Sequence, residues 1–207
     1  MEILADTLGP EATYKLLTGV VVPRPIAWVS TISTSGIVNL APFSAFTFVS
    51  NKPPMVGFNV GRKAGQLKDT ARNIHNTKAF VVNIADETMI EPVHLSAVEY
   101  APEISEAELL GLELAPSQNI SVPRLLAAPI SMECRLHRVI AFGDTGSEFM
   151  VGEITVFHIR DGIYNNGKID SAQLRPICRI GGPNYAKLGE IVRMTPISQT
   201  EKTVLDM

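Results

Sequence analysis

Between Arg24 and Thr70 the chain runs RPIAWVSTISTSGIVNLAPFSAFTFVSNKPPMVGFNVGRKAGQLKDT, three alternating apolar runs set off by turn residues. Ile26, Trp28, Ser30 and Ile32 fall on one side of an extended chain, and Ala27, Val29 and Thr31 on the other. That period of two is the signature of a β-strand. Ser33–Gly36 is a turn, so Ile37–Val49 is expected to pair back on the first run as a hairpin. Pro42 lies within this second run and has no N–H to give a ladder, which predicts a bulge or an edge position there. Pro53-Pro54 breaks the chain, and Met55–Val60 makes a third strand.

The rest of the chain extends this pattern. Pro10–Thr18 is predicted as a short helix with Leu16 and Leu17 turned toward the body and Gly19 ending it. Leu67–Thr77 reads as a helix with Leu67, Ala71 and Ile74 on one face. Ala79–Ala85 reads as a buried strand, Asp86–Val98 as a helix disturbed by Pro92, and Ser105–Leu110 as a helix opened by a Ser105/Glu108 capping box and stopped at Gly111. Ile130–Phe142 is a long strand. It carries Ile130, Met132, Cys134, Leu136, Ile140 and Phe142 on one face and Ser131, Glu133, Arg135 and His137 on the other. Asp144–Gly146 turns it into a second long strand, Phe149–Ile159. Beyond Arg160 come the turn sequences Asn165-Asn166-Gly167 and Gly181-Gly182-Pro183, a predicted helix at Tyr185–Val192, and a loose polar tail after Met194. The expected fold is mostly β with peripheral helices. Six or more antiparallel strands close into a barrel, which removes exposed sheet edges. The chain is expected to be one domain over 1–207 with a C-terminal extension from about 193.

Composition narrows the classes of function. Of 207 residues, 45% are hydrophobic and 19% charged, enough apolar material for a substantial core. The net charge is −3 with no basic run, so nothing supports a nucleic-acid partner. Cys134 and Cys178 form no metal-binding spacing, and two buried thiols suit a reducing compartment. The opening MEILADTLGP lacks the basic and apolar regions of a signal peptide, and no apolar run approaches the ~20 residues of a membrane span. A soluble cytoplasmic protein with no membrane partner is expected.

The residues that could carry chemistry are few. Lys68-Asp69-Thr70 opens a helix, where free amides and the positive dipole end suit an anion. Lys68 adds charge, Thr70 a hydroxyl, and Gly61-Arg62 a second cation on the preceding loop. Asp69 as an N-cap would compete for the same amides, and an ordinary capped surface helix stands as the plain alternative. Ser30, Thr31, Asn39, Ser44, Ala45 and Phe46 sit on neighbouring strands, where small polar groups beside amides could border a planar heteroaromatic ring and Ala41 and Ala45 leave room for it. The same pattern also suits a half-buried sheet face. Trp28 reads as core or as pocket wall. Cys134 alternates onto the apolar face and reads as core, and His137 as solvated. His75, His94, His137 and His158 lack metal spacing, so no metal site is expected. No nucleophile elbow, dinucleotide fingerprint or phosphate loop is present.

Taken together, RPIAWVST, NLAPFSAF, PPMVGFNV, KDTARNI and AFVVNI resemble the flavin-reductase-like, FMN-binding split-barrel family. APISMECRLHRVIAFGD, VGEITVFHI and LRPICRIGGPNYAKL continue the resemblance, which covers about Tyr14 to Ile191. It implies an antiparallel split β-barrel and a homodimer with FMN in each of two sites near the interface. It further implies that Asn39, Leu40, Ala41, Ser44, Ala45 and Phe46 border the isoalloxazine, with Trp28 in the pocket wall and Ser30 and Thr31 along the ribityl chain or phosphate. Lys68, Asp69 and Thr70, with Gly61 and Arg62 on the loop before them, would form the phosphate site; Arg179, Gly182 and Tyr185 would close over the flavin. The activity implied is NAD(P)H-dependent flavin reduction through bound FMN, feeding a monooxygenase or another electron acceptor, with no catalytic side chain required. A flavoredoxin-type electron carrier without nicotinamide turnover is the alternative; a haem- or pyridoxal-phosphate-binding relative is a third. One departure bears on this choice: Gly143-Asp144-Thr145 stands where related reductases carry Gly-Asp-His, a histidine associated with the nicotinamide.

Overall fold

A computed structural model of the chain describes residues 1–200. In chain order its main elements are α1 (Pro10–Val20), β1 (Ala27–Ile32), β2 (Val38–Phe43), β3 (Phe46–Asn51), β4 (Pro54–Val60), α2 (Asp69–Thr77), β5 (Ala79–Ile84), α3 (Ile90–Leu95), α4 (Glu106–Leu109), β6 (Ile130–Phe142), β7 (Ser147–Ile159), β8 (Ile177–Arg179) and β9 (Tyr185–Lys187). Seven strands form one antiparallel sheet in the order β2-β1-β5-β6-β7-β4-β3. The two outermost strands, β2 and β3, are consecutive in the chain, joined only through Ser44 and Ala45. A sheet whose opposite edges must meet at a two-residue corner has to curl into a barrel, and the barrel is split at that corner. The Asn59 N–H donates to the Ala45 carbonyl at 2.9 Å and ties the corner to β4.

Alternation then sorts the core. Ala27, Val29, Phe58, Phe80, Val82, Met132, Cys134 and Met150 fill the barrel. Ile26, Trp28, Leu40, Val93, Ala107 and Leu125 form a second apolar layer outside it, under α3 and α4. β1 is therefore buried on both faces, which is why its two alternating sets are both apolar or small. Gly152 shows how tight the barrel is: a Cβ there would stand 2.3 Å from Cζ of Phe80.

Several expectations need correction. The Ile37–Val49 run is two strands, broken at Ser44-Ala45, although Pro42 does take the expected edge position, on β2 opposite Trp28. α2 begins at Asp69, because Gln66–Leu67 pairs with Arg62–Lys63 as a small hairpin. The Asp86–Val98 segment is a 3-10 turn, Glu87–Met89, followed by α3. On β6, register shifts at Glu133/Cys134 and Leu136/Arg138 turn Val139 rather than Ile140 to the core and leave Phe142 exposed. Glu133, assigned to a polar outer face, is fully buried, because the loop at 117–122 covers it. Tyr185–Lys187 is a strand and not a helix: the turn at Gly181–Asn184 folds it back on β8. Leu16 and Leu17 are exposed, and α1 buries none of its residues among the described part of the chain. Of the expected extension from about 193, positions 201–207 lie outside the described residues. No helix among the described residues is long and apolar enough to cross a membrane.

Candidate functional site

The split leaves an open cleft of about 690 Å³. Its floor is β2, contributing Asn39, Ala41, Pro42 and Phe43, continued by Ser44 of the corner, with Glu106 of α4 beside it. One end is the start of α2, with Lys68, Asp69 and Thr70; the rim carries Lys63, Glu99 and Tyr100, and the mouth carries Arg179, Gly182 and Tyr185. Ala41, Pro42 and Ser44 along the open edge and a cationic end give the volume and chemistry of a ligand site.

The start of α2 is built to receive an anion. Its N-cap is Lys68, which provides no side-chain cap among the described residues. The first intrahelical bond runs from Arg72 N to the Lys68 carbonyl at 3.0 Å. The N–H groups of Asp69, Thr70 and Ala71 therefore point out of the helix with its positive dipole end. Asp69 is not the cap that sequence suggested; its carboxylate is ion-paired with Arg72. Lys68 and Lys63 both reach Glu99, at 3.6 and 3.7 Å, in pairs that are open to solvent.

Behind this end lies a buried polar chain. The Glu106 carboxylate accepts from Asn39 Nδ2 and from the Leu40 N–H, each at 2.8 Å. Asn39 Oδ1 accepts from Thr70 Oγ1 at 2.8 Å and from Thr31 Oγ1 at 3.4 Å, and Asn73 Nδ2 donates to Thr31 at 3.1 Å. Burial pushes the Glu106 carboxyl above its ordinary range, opposed by the Leu40 amide and Asn39. At the mouth, Arg179 stacks 4.5 Å from the Tyr185 ring centroid and donates to its hydroxyl at 2.5 Å. That hydroxyl lies 3.4 Å from His94 Nδ1. Burial raises the Tyr185 pKa while Arg179 opposes the rise.

Of the residues expected at the site, the structure gathers Asn39, Ala41, Ser44, Lys68, Asp69, Thr70 and Tyr185 around the cleft, with Arg179 and Gly182. The others lie elsewhere in this chain, each for a physical reason. Trp28 and Leu40 are fully buried in the outer apolar layer, where the indole N–H donates to Ser96 Oγ at 2.9 Å. Ser30 is buried and donates to the Pro123 carbonyl, and Thr31 is buried behind Asn39. Ala45 is exposed at the corner, and Phe46 packs on the barrel core. Gly61 precedes the small hairpin, and Arg62 is held away by Gly146 O at 2.8 Å and Glu148 at 3.0 Å. The hairpin cation that lines the cleft is Lys63.

Besides Lys63 and others lining the cleft, Arg24 and Glu106 escaped the sequence reading. Arg24 donates to the Thr18 and Val21 carbonyls, each at 2.6 Å, to Ser44 Oγ at 3.3 Å and to the Ile180 carbonyl at 3.3 Å. It thereby ties α1, the barrel corner and the C-terminal segment together; a cation placed directly before an apolar strand was the available signal. Glu106 had none, because its partners are 67 and 66 positions away.

A split seven-stranded barrel with an anion-ready cleft along its open edge defines a flavin-reductase type of fold. The chain belongs to that family: residues 19–173 match the flavin reductase like domain. It is 42% identical over 195 residues to an uncharacterized protein of Halalkalibacterium halodurans, covering 92% of this chain and 93% of that one. Among solved structures it resembles nitrilotriacetate monooxygenase component B from Bacillus cereus, with a TM-score of 0.91, 38% identity and coverage of 94% and 98% of the two chains. It also resembles the 2-nitrobenzoate 2-nitroreductase of Pseudomonas fluorescens, with a TM-score of 0.87, 35% identity and coverage of 98% and 99%. The flavoredoxin of Desulfovibrio vulgaris shares the fold at a TM-score of 0.74 and 19% identity, covering 84% of this chain and 91% of that one.

Proposed function

We propose that this protein is a cytoplasmic oxidoreductase that binds FMN in the cleft and passes electrons from NAD(P)H to an acceptor. One observation carries the reading: the N-terminus of α2, with no side-chain cap and with Lys68 at its head, opens on a cleft floored by Ala41, Pro42 and Ser44. When bound, FMN supplies redox chemistry that no side chain provides. The chain's own residues bind and orient. Lys68 and the amides of Thr70 and Ala71 would hold the phosphate, while Ala41, Pro42 and Ser44 would border the ring. Arg179 and Tyr185 would cover the mouth and exclude water. The resemblance to a protein named as a component of a nitrilotriacetate monooxygenase supports a monooxygenase as acceptor.

We further propose a homodimer of single-domain chains. α1 exposes Tyr14, Leu17 and Val20, and Phe48 on edge strand β3 is 79% exposed. Apolar surface on a helix and on a sheet edge together calls for a covering chain. A second reading, an electron carrier with slow nicotinamide turnover, is favoured by the exposed Thr145 in the β6–β7 turn, which offers no imidazole. The deciding experiment is the absorption spectrum of the purified protein, followed by anaerobic NADH and NADPH. Flavin bands that bleach on addition support the reductase; bands that persist support the carrier; no flavin uptake defeats both.

A further inference from the structure

We propose that Glu106 sets the hydrogen-bond polarity of the cleft at Thr70, making that hydroxyl an acceptor toward the ligand when the carboxylate is charged and a donor when it is neutral. The inference rests on the reading above, that a phosphate lies at the start of α2. It follows from a chain of donors and acceptors with no freedom at one end. The Leu40 N–H can only donate, and it occupies one Glu106 oxygen at 2.8 Å. The other oxygen, on a charged carboxylate, can only accept, so Asn39 must turn its Nδ2 toward it. Asn39 Oδ1 then faces Thr70, and the Thr70 proton is committed to it at 2.8 Å. Thr70 is 2% exposed but lines the cleft, so what remains for a ligand is a lone pair. A lone pair suits a ribityl hydroxyl and repels a phosphate oxygen.

Protonating Glu106 inverts the chain. Leu40 still requires an accepting oxygen, so the carboxyl O–H faces Asn39. The amide must then turn its Oδ1 to Glu106 and its Nδ2 to Thr70 and Thr31. The Thr70 proton is released into the cleft, where a phosphate oxygen accepts it. Thr70 can accept from the turned Nδ2, and Thr31, which already accepts from Asn73 Nδ2, must then turn its own proton away from Asn39, giving up the longer bond of 3.4 Å.

Glu106 is 5% exposed, and burial raises its pKa. The other ionisable groups lining the cleft are Lys63, Lys68, Asp69, Glu99 and Tyr100 around α2, Arg24, Arg179 and Tyr185 at the mouth, and Glu11, Tyr14 and Lys15 on α1. Most are already paired: Lys63 and Lys68 with Glu99, Asp69 with Arg72, and Lys15 with Glu11. Glu108, on the same helix, is exposed. The rise on Glu106 thus comes from its burial, opposed by the Leu40 amide, its own backbone N–H and the Asn39 side chain.

The isostere Glu106→Gln tests this, because its amide must offer oxygen to Leu40 and N–H to Asn39, as the protonated acid does. Kd values for FMN and riboflavin are measured at pH 8, where the phosphate is a dianion. The selectivity for FMN over riboflavin is expected to rise roughly three- to tenfold in the variant, the scale of one added hydrogen bond. Adding Thr70→Val to the Gln variant should remove that gain. A gain that survives Thr70→Val comes from charge alone and overturns the proposal, as does no gain. The side-chain amide ¹⁵N and ¹H resonances of Asn39, in flavin-free protein, give an independent reading. They should shift as the wild type is acidified and should start near the low-pH position in the variant; identical shifts in both proteins at pH 8 overturn the proposal. Failure of the wild type to bind either flavin defeats the FMN reading, while the Asn39 resonances still decide the hydrogen-bond chain.

Discussion

Lys68→Ala separates a phosphate contact from a structural one. A charge-assisted bond to phosphate contributes roughly 1.5–3 kcal/mol. In the free protein, however, Lys68 is not idle: it lies 3.6 Å from Glu99, in a pair with 38% and 51% of the two side chains exposed. Such a solvent-screened pair is worth roughly 0.5 kcal/mol, and binding must break or share it. The net loss on removing Lys68 is then about 1–2.5 kcal/mol, or roughly 5- to 60-fold in Kd for FMN. Riboflavin has no phosphate, so its Kd should change less than twofold. Titration by quenching of flavin fluorescence measures both ligands under one set of conditions. Rising salt should weaken FMN more than riboflavin in the wild type, and less so in the variant. Equal weakening of both ligands would refute the assignment and make Lys68 a residue of the fold.

Three other outcomes can be checked directly. Gly152→Ala should destabilise the protein by about 1–3 kcal/mol in chemical denaturation, since the new methyl meets the fully buried Phe80 ring; an unchanged midpoint shows that the barrel yields there. Burial alone would raise the Glu133 pKa, but the Gln118 and Asn119 amides and His158 outweigh it and hold it below its ordinary 4.5. A carboxylate held low in the fold contributes stability that is present above 4.5 and is lost as pH falls through the lower folded value. Wild-type stability should therefore drop below about pH 4.5 more steeply than that of Glu133→Gln, as read by urea unfolding at stepped pH; parallel curves count against it. Thr145→His should raise the rate of anaerobic flavin reduction by NADH or leave it unchanged; fast wild-type reduction with free release of flavin would show that the missing imidazole is immaterial.

How much of this was legible depended on how far apart the interacting residues lie. The β1–β2 hairpin was readable because the period and the turn are local, and β1's two small or apolar sets report burial on both faces. The anion-binding start of α2 was readable too, although Asp69's role was not, because whether it caps or pairs with Arg72 depends on a register two residues long. Glu133 was misassigned because period two says which side a residue takes, and not what later covers that side. Tyr185–Lys187 has a helix-compatible composition; a turn and a waiting strand partner overrode it. Arg62 and Lys63 are adjacent cations, and only their hairpin, folded against β7, decides which one lines the cleft.

The cleft draws on residues from Glu11 to Tyr185, and β4 reaches its partner β7 only after some ninety intervening positions have been made. A growing chain therefore has no usable site until its C-terminal segment has left the ribosome. Whatever occupies the cleft must arrive late, onto a barrel already closed. Its binding energy then acts on the folded molecule as a whole, because no fragment holds enough of the site to compete for it. Saturating ligand should protect the ends of the chain and its middle from protease to the same degree, as one cooperative unit.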